Sequence, residues 1–404
     1  MREKVTIGID VGSSEVVAIV GHRSEGEIHP NIIGVGVQEN SGLRKGVVTD
    51  VEETMSSVAA ALDKAERMAG VPIEGAYISI NGEHIQSSNT KGLVSVAHSE
   101  IGSDDVARAI ESAQTVALPA NREIIHVLPR TFIVDGQDQI RDPIGMFGTR
   151  LEVDAHIVTG STPFIRNLQK TVEQAGVSIA NFVLAPLAAS KAVLTKKQKE
   201  LGVAVIDIGS DTTGLTVFDE GDLCHSVVMP IGARHLTSDI AIGLRTSLEV
   251  AEKVKIEYGM ASAVMLSDKD TIDLSRFDKA EDQVISRRYV AEIIEARLME
   301  LFMMVKTELR KVGKDGMLPA GAVLVGGGAK LPGIVDFAKD HLGLPAQIGF
   351  PIELRGVVDH LDDPRFVTAI GLVMWGMDDD HNSSIYAAEP SFGGVFSRLK
   401  SWFK

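Results

Sequence analysis

The sequence predicts an α/β chain made of two related halves, and three observations predict it. Near the N-terminus Val5, Ile7 and Ile9 lead into the turn Asp10-Val11-Gly12-Ser13-Ser14 and then the apolar run Val16 to Val20. The same arrangement returns about half a chain later. There Val203 and Val205 lead into Ile206-Asp207-Ile208-Gly209-Ser210-Asp211-Thr212 and then Leu215 to Phe218. A third apolar run, Ala322 to Val325, ends in Gly326-Gly327-Gly328.

Each repeated motif is a β-hairpin whose tip carries an acid, a glycine and small hydroxyl residues. That chemistry suits a phosphate, because glycine lets the backbone approach closely and successive N–H groups form an anion-binding nest. A bare carboxylate would be repelled by phosphate oxygens, so Asp10 and Asp207 are expected to act through a hydrated divalent metal. Two copies predict two halves clamping one nucleotide, with the glycine triplet as a third loop facing it.

Composition bounds the alternatives. A chain of 404 residues with 44% hydrophobic and 24% charged content is that of a globular protein of several domains. The balance of 40 basic against 55 acidic residues, a net charge of −15, argues against nucleic acid as a partner, since phosphate contacts need clustered Lys and Arg. The single cysteine, Cys224, excludes an internal disulfide and a multi-cysteine metal site, and is read as a small buried hydrophobe in a reducing cytoplasm. Gly8 and Asp10 interrupt the first apolar run, so no signal peptide is expected there. No apolar run reaches the ~18 residues that a spanning helix needs.

Between the motifs the elements follow from spacing. Ile32 to Val37 continues the opening sheet. Asp50 caps a helix, with Glu53 in capping-box position, and Val51, Met55, Val58, Leu62 and Ala65 mark its buried face until Gly70 and Pro72 stop it. Ala76 to Ile80 is a strand. From Gly82 to Gly160 the pattern changes to a β-rich stretch (Gly92 to Ala97), a helix opened by Ser103 and running from Asp104 to Ala117, and strands Ile124 to Leu128 and Thr131 to Val134. The alternating strand Leu151 to Val158 completes an inserted α+β unit. His126 and His156 have no ligand-spaced neighbours and are read as structural or surface residues.

Thr162-Pro163 restarts the main fold as N-cap and first helical residue, with Leu168, Val172 and Ala175 inward and Gly176 as the stop. A second helix spans Leu187 to Leu194. Beyond the second hairpin, Pro230-Ile231-Gly232-Ala233 turns into a helix, and Thr246 to Gly259 is a helix carrying Glu252 and Lys255. An irregular acidic stretch, Asp268 to Asp282, precedes one long helix from Arg287 to Val312, in which Met299, Met303 and Met304 are read as flexible core packing. A helix from Ile334 to His341 follows the glycine triplet.

Residues 377–391 are acidic and polar without periodicity and read as a flexible linker. In the last segment Phe392, Val395, Phe396, Leu399, Trp402 and Phe403 share about a third of a helical wheel, while Arg398, Lys400 and Lys404 lie beside or opposite them and no acid occurs. Such a helix, roughly 20 Å long, is too short to span a bilayer but suits its interface. An anionic lipid membrane is therefore the expected partner of this segment.

Phosphate hairpin, connecting helix, second hairpin, Glu-x-x-Lys helix and glycine triplet occur in an order that resembles the actin, Hsp70 and sugar-kinase superfamily. Within it, His126-x-Leu128-Pro129-Arg130-x-Phe132 and Asp142-Pro143-Ile144-Gly145-Met146-x-Gly148-x-Arg150-Leu151-Glu152, together with the linker and tail, are similar to the FtsA family of bacterial division proteins. The resemblance covers essentially the whole chain. It implies an actin-like (ribonuclease H-like) bilobed ATPase fold with an inserted α+β subdomain and a C-terminal amphipathic helix. Residues 1–81 with 161–200, and 201–244 with 313–376, would be the inner subdomains of the two halves. Residues 82–160 would be the insert, 245–312 the outer subdomain of the second half, 377–391 the linker and 392–404 the membrane helix.

The resemblance further implies ATP with Mg²⁺ between the halves. Asp10, Gly12, Ser13 and Ser14 would face the phosphates from one side, and Asp207, Gly209, Ser210, Asp211 and Thr212 from the other. Gly232, Glu252, Lys255, Gly326, Gly327 and Gly328 would line the adenosine pocket. Implied partners are the C-terminal peptide of FtsZ on the outer subdomain, with Arg297 and Lys306 as candidate contacts, other copies of the chain in a filament, and later division proteins through the insert. The implied location is peripheral, on the cytoplasmic face of the inner membrane at the division site. One departure stands out: the connecting segment reads Leu184-Ala185-Pro186, with no Glu or Gln to position an attacking water, so at most slow ATP turnover is expected. A pilus-assembly adaptor of similar fold and a small-molecule kinase are the alternatives.

Overall fold

The repeated motif folds as its alternation demands. In the computed structural model, which describes residues 5–23, 29–115, 118–267, 269–352, 354–357 and 361–386, β1 (Val5–Val11), β2 (Glu15–His22) and β3 (Asn31–Glu39) form an antiparallel meander. A small hairpin of β4 (Leu43–Arg44) and β5 (Val47–Val48) leads to α1 (Val51–Ala69). Asp50 caps α1 by accepting the Glu53 N–H at 3.1 Å, and Gly70 closes it at φ 69°. Glu53 does not reach back to complete a capping box; its carboxylate accepts from Ser41 Oγ at 3.2 Å instead. β6 (Gly75–Ile80) then pairs parallel with β1.

The insert comprises β7 (Gln86–Ser95), α2 (Ser103–Gln114), β8 (Arg122–Val134), β9 (Gln137–Ile140) and β10 (Arg150–Ser161), in sheet order β7-β10-β8-β9. It has its own core, in which Ile101, Val106 and Ile110 meet Phe132, Leu151 and Val153. Two sequence expectations shift here. α2 is capped by Gly102, whose N–H donates to Asp105 at 2.9 Å, so Ser103 is its first residue and the helix stops at Gln114 rather than Ala117. The two strands expected around Pro129 are one strand, β8, because a register shift opposite Asp154 and Ala155 accommodates the proline's missing donor.

The main fold resumes with α3 (Thr162–Gln174), whose N-cap is Ser161, one residue earlier than the Thr162-Pro163 pattern implied. β11 (Ser178–Leu184), α4 (Ala185–Val193) and α5 (Lys196–Leu201) follow. The second half repeats the meander as β12 (Val203–Ile208), β13 (Thr213–Asp219) and β14 (Asp222–Met229), then continues through α6 (Ala233–Leu244) and α7 (Leu248–Tyr258). The acidic stretch is not wholly irregular, since β15 (Thr271–Asp273) pairs with β16 (Val284–Ser286) ahead of α8 (Arg287–Lys311). The chain returns through β17 (Ala322–Val325), α9 (Ile334–Leu342), β18 (Ala346–Ile348), β19 (Arg355–Gly356) and α10 (Val367–Tyr386).

The two main sheets share one topology. Their orders are β3-β2-β1-β6-β11, with β19 added at the β3 edge, and β14-β13-β12-β17-β18. In each, the first three strands are antiparallel and the last two join in parallel. The halves also exchange helices. α4, which follows the first sheet, packs on β12 and β13 of the second, whereas α10 packs across β1, β2 and β6 of the first. α4 and α10 cross where Gly371 lies against Ala188.

Four further expectations are corrected or located. Met299 and Met303 are 45% and 66% exposed, because α8 buries the stripe Val290, Ile294, Leu298, Leu301, Phe302 and Val305; only Met304 of the three packs against the core. The flexible linker expected from residue 377 is helical to Tyr386: Met377 is buried, and Asp378 accepts from Arg23 and Lys191. Residues 387–391 and the amphipathic segment 392–404 lie outside the described residues. Cys224 is buried, as expected, and its thiol donates to the Val217 carbonyl.

The insert also docks on the edge strand β14. Ser87 Oγ donates to the Ser226 carbonyl at 2.5 Å, and Arg141 reaches the Glu220 carbonyl at 2.9 Å. His156, buried, lies 2.6 Å from Asn89 Oδ1 through Nδ1 and 2.8 Å from Ser226 Oγ through Nε2. Burial drives its pKa down to about 3, so the neutral ring donates from Nδ1 and accepts at Nε2. His126, also buried, accepts the Leu184 N–H at 3.0 Å. Both histidines are structural.

Candidate functional site

The tips of the two meanders have matching turns. The Gly12 N–H donates to the Glu15 carbonyl at 3.0 Å, and the Gly209 N–H to the Thr212 carbonyl at 2.9 Å. A Cβ would stand 2.8 Å from Glu15 O at the first glycine and 3.0 Å from Thr212 O at the second, so neither turn closes as tightly with a side chain. Asn40 Nδ2 braces the first turn by donating to the Gly12 carbonyl at 2.8 Å.

The two acids meet between these tips. Burial lifts the Asp10 carboxyl to about 6, against the opposing hydrogen bond of Ser79, whose Oγ also accepts the Val11 N–H at 3.0 Å. Asp207 is 8% exposed, and burial followed by the charge of Asp10 lifts it to about 7. Thr368 Oγ1, at the start of α10, lies 3.4 Å from its Oδ2. Asp10 and Asp207 are thus buried acids at the matching strand ends of the two halves, and the charge of Asp10 acts on Asp207. A divalent cation fits such a pair, since it would replace that repulsion by attraction. Among the described residues no group of three or more His, Cys, Asp or Glu is placed to hold a metal. An ion here would rest on Asp10 and Asp207 through water.

The glycine triplet follows β17, whose last residue, Val325, pairs with Asp207 on β12. Gly326 has φ +82°, and a Cβ there would lie 2.5 Å from Asp207 Oδ1 and 2.6 Å from the Ile208 carbonyl. At Gly328 it would lie 2.3 Å from Ile208 Cγ2, whereas at Gly327 it would meet nothing within 4 Å. Packing thus requires the outer two glycines, and the middle one faces open space.

α6 starts directly on the second turn. Gly232 packs against it, with the Ser210 carbonyl 2.5 Å from where a Cβ would be, and the Ala233 and Arg234 N–H groups donate to the Gly209 and Ser210 carbonyls at 2.9 and 2.8 Å. Lys255 Nζ donates to Glu252 Oε2 and Thr237 Oγ1, both at 2.8 Å, and to the Ala233 carbonyl at 3.3 Å. Glu252 and Lys255 are therefore joined to each other and to the α6 start.

Polar contacts also cross between the halves. Asp211 Oδ2 accepts the Lys45 N–H at 2.9 Å, and Asn81 Nδ2 donates to Thr212 Oγ1 at 3.2 Å. Arg234 spans the tips, with Nε 3.0 Å from Asp211 Oδ1 and Nη2 donating to the Ser13 carbonyl at 2.7 Å. Ser79, Thr368, Asn40, Asn81, Thr237 and Arg234 carry no motif signal; tertiary folding alone places them here.

The residues singled out on α8 are engaged within the chain. Arg297 forms a bidentate pair with Asp239 at 2.6 and 2.9 Å and also meets Glu300. Lys306 Nζ donates to the His341 carbonyl at 3.1 Å. Among the described residues, no helix is long and apolar enough to cross a membrane.

Comparison with known proteins adds a lineage to this geometry. A family model described as "Cell division protein FtsA" matches residues 204–371, and one described as "SHS2 domain inserted in FTSA" matches residues 82–159. The chain is 36% identical over 407 residues to the cell division protein FtsA of Pseudomonas aeruginosa, covering 99% of this chain and 97% of that one. It is 40% identical to FtsA of Bacillus subtilis, covering 93% and 84%. Among solved structures, the PilM-PilN type IV pilus biogenesis complex matches with a TM-score of 0.65 at 16% identity, covering 92% of this chain and 98% of that one. MreB5 of Spiroplasma citri bound to ADP matches with a TM-score of 0.54 at 15% identity, covering 91% and 94%. These likenesses carry the actin-like fold.

Proposed function

The chain belongs to the FtsA family of cell-division proteins, and from that premise we propose that it binds ATP with Mg²⁺ between its halves, assembles with its own copies, and ties FtsZ filaments to the cytoplasmic face of the inner membrane. The observation that carries the nucleotide is the pair of matching turns with Asp10 and Asp207 between them. Asp10, Gly12, Ser13 and Ser14 cradle the phosphates from the first half, and Asp207, Gly209 and Ser210 from the second. The side chains of Asp211 and Thr212, expected to face the phosphates as well, are engaged by Arg234, Lys45 and Asn81. Gly232, Glu252, Lys255 and the glycine triplet border the nucleoside. Bound Mg²⁺ would neutralise phosphate charge, held through water by the two acids. Spiroplasma citri MreB5, which shares the fold, has been solved bound to ADP and to AMPPNP.

The cleft is built for occupancy more than turnover. Ala185 opens α4 as a buried methyl group, and the Pro186 ring packs on Gly214, so neither holds a water. Turnover without a partner is expected to stay below about 1 s⁻¹. The middle glycine separates ligand contact from packing. Gly327→Ala should leave the melting temperature of the free protein unchanged and weaken ATP binding by about tenfold, a difference of ~1.4 kcal/mol. Thermal scans and a nucleotide titration check both halves of that statement.

The tether is carried by residues 392–404, whose aromatic face and local positive charge suit anionic lipid. The outer subdomain, residues 245–312, receives the FtsZ C-terminal peptide, and the insert receives later division proteins. The pilus-adaptor reading is weaker, since it rests on fold at 16% identity against 36% identity over nearly the whole chain to a division protein. Co-sedimentation tests the tether. Full-length protein should carry a labelled FtsZ C-terminal peptide down with anionic vesicles, and deletion of Phe392 to Lys404 should leave both in the supernatant. Undiminished sedimentation of the deletion variant would overturn the anchor.

A further inference from the structure

We propose that Arg234 is a positioning residue of the cleft, a clamp that fixes the spacing of the two turns and so sets how long a nucleotide stays between them. Its backbone is tied to the second turn through the Ser210 carbonyl, and its side chain runs along that turn past Ser210 Oγ at 3.3 Å and Asp211 Oδ1 at 3.0 Å. It then crosses to the first half, where Nη2 donates to the Ser13 carbonyl at 2.7 Å. One guanidinium thus holds both tips.

Asp211 makes the clamp directional. Its side chain is 6% exposed, so its charge needs partners, and it has them on both sides: the Arg234 guanidinium in its own half and the Lys45 N–H in the other. The planar fork of arginine can serve Asp211 and Ser13 together, whereas a lysine ammonium offers a single point charge. A purely local ion pair would end at Asp211. The contact to Ser13, in a strand turn of the opposite half, is what makes opening of the cleft break it. The Asn81–Thr212 bond lies along the same seam, so the second turn is held to the first half at three places.

The kinetic consequence rests on the nucleotide reading of the cleft; the clamp itself does not. Two measurements on the full chain separate them. With a fluorescent ATP analogue and Mg²⁺, Arg234→Ala should raise the dissociation rate about tenfold and weaken ATP and ADP alike, because the clamp acts on the cleft and not on one phosphate. Arg234→Lys should fall between the two. In nucleotide-free protein, amide hydrogen exchange in the segment containing Lys45 should quicken at least about fivefold in Arg234→Ala. Asp211→Asn, which removes the ion pair without shortening the side chain, should move both readouts in the same direction and serves if the alanine variant does not fold.

Dissociation and exchange both equal to wild type would overturn the clamp. A loss confined to ATP, with ADP unaffected, would overturn it too, assigning Arg234 to the terminal phosphate instead. Wild-type protein that bound neither nucleotide would overturn the nucleotide reading, and the exchange comparison would still decide the clamp.

Discussion

Asp207→Asn is expected to melt several degrees higher than wild type at pH 8 in the absence of ligand, while losing its hold on magnesium nucleotide. The reason is the buried acid pair. Asp207 has an ordinary pKa of 3.8 and is lifted to about 7 in the folded chain, with burial the first cause and Asp10 the second. A carboxyl whose folded pKa is raised makes the folded state bind more protons than the unfolded one across the interval between those values. Stability therefore falls as pH rises from about 4 to about 7, and stays lower above it. Asparagine cannot ionise, so it removes this decline.

Each pKa unit corresponds to about 1.4 kcal/mol. Even one such unit recovered would raise the melting temperature by about 1.5 °C for a chain of this size, and the full interval by several degrees. At pH 4 the two proteins should melt together. Nucleotide affinity in the presence of Mg²⁺ should drop by about 10- to 100-fold, the usual cost of losing a group that orients a metal site. Calorimetry across pH 4 to 8 checks the first statement and titration the second. Equal melting points at pH 8 would mean that the two acids do not burden the free fold.

Gly371→Ala is expected to destabilise the whole molecule. A helix normally gains about 1 kcal/mol when glycine becomes alanine. Here the added carbon would stand 1.9 Å from the Ala188 carbonyl oxygen, inside the crossing of α4 and α10. The two helices would have to separate, and both pack into one core that takes side chains from the two main sheets, so the disturbance reaches both halves. Overpacking costs of about 1–3 kcal/mol are typical, and the loss of packing along the crossing adds to them. The sign is therefore negative, with a net cost of about 2 kcal/mol or more and a melting temperature lower by at least about 2 °C. A melting point at or above wild type would show that the crossing has slack.

What was legible in the sequence was local. The turns at Gly12 and Gly209 close through bonds that reach only three residues along the chain, so their chemistry stands in one short stretch. α1 with Asp50 and Gly70, and the 25 residues of α8, were likewise written in their own spacing. The misreadings came where partners are distant. The run Met377-Asp378 reads as linker until Arg23 and Lys191 are placed beside Asp378, and then it is a helix. Met303 reads as core until the stripe from Val290 to Val305 takes that role. Arg234 carries no signal at all, because nothing near it in sequence announces Ser13, 221 residues away.

The docking of the insert has a consequence for chain entropy. β7 and β10 pair antiparallel from Gln86 with Thr159 onward, so the strand that leaves the first half and the strand that returns to it run side by side. Seen from the parent sheet, roughly 70 residues behave as one loop whose ends already touch. Closure entropy grows only logarithmically with loop length, so a whole folded unit can sit there at little more cost than a short turn. The parent half is asked to tolerate one pair of neighbouring strands, and apart from the contacts of Ser87, His126, Arg141 and His156 the unit beyond Gln86 and Thr159 can differ in shape without moving Asp10.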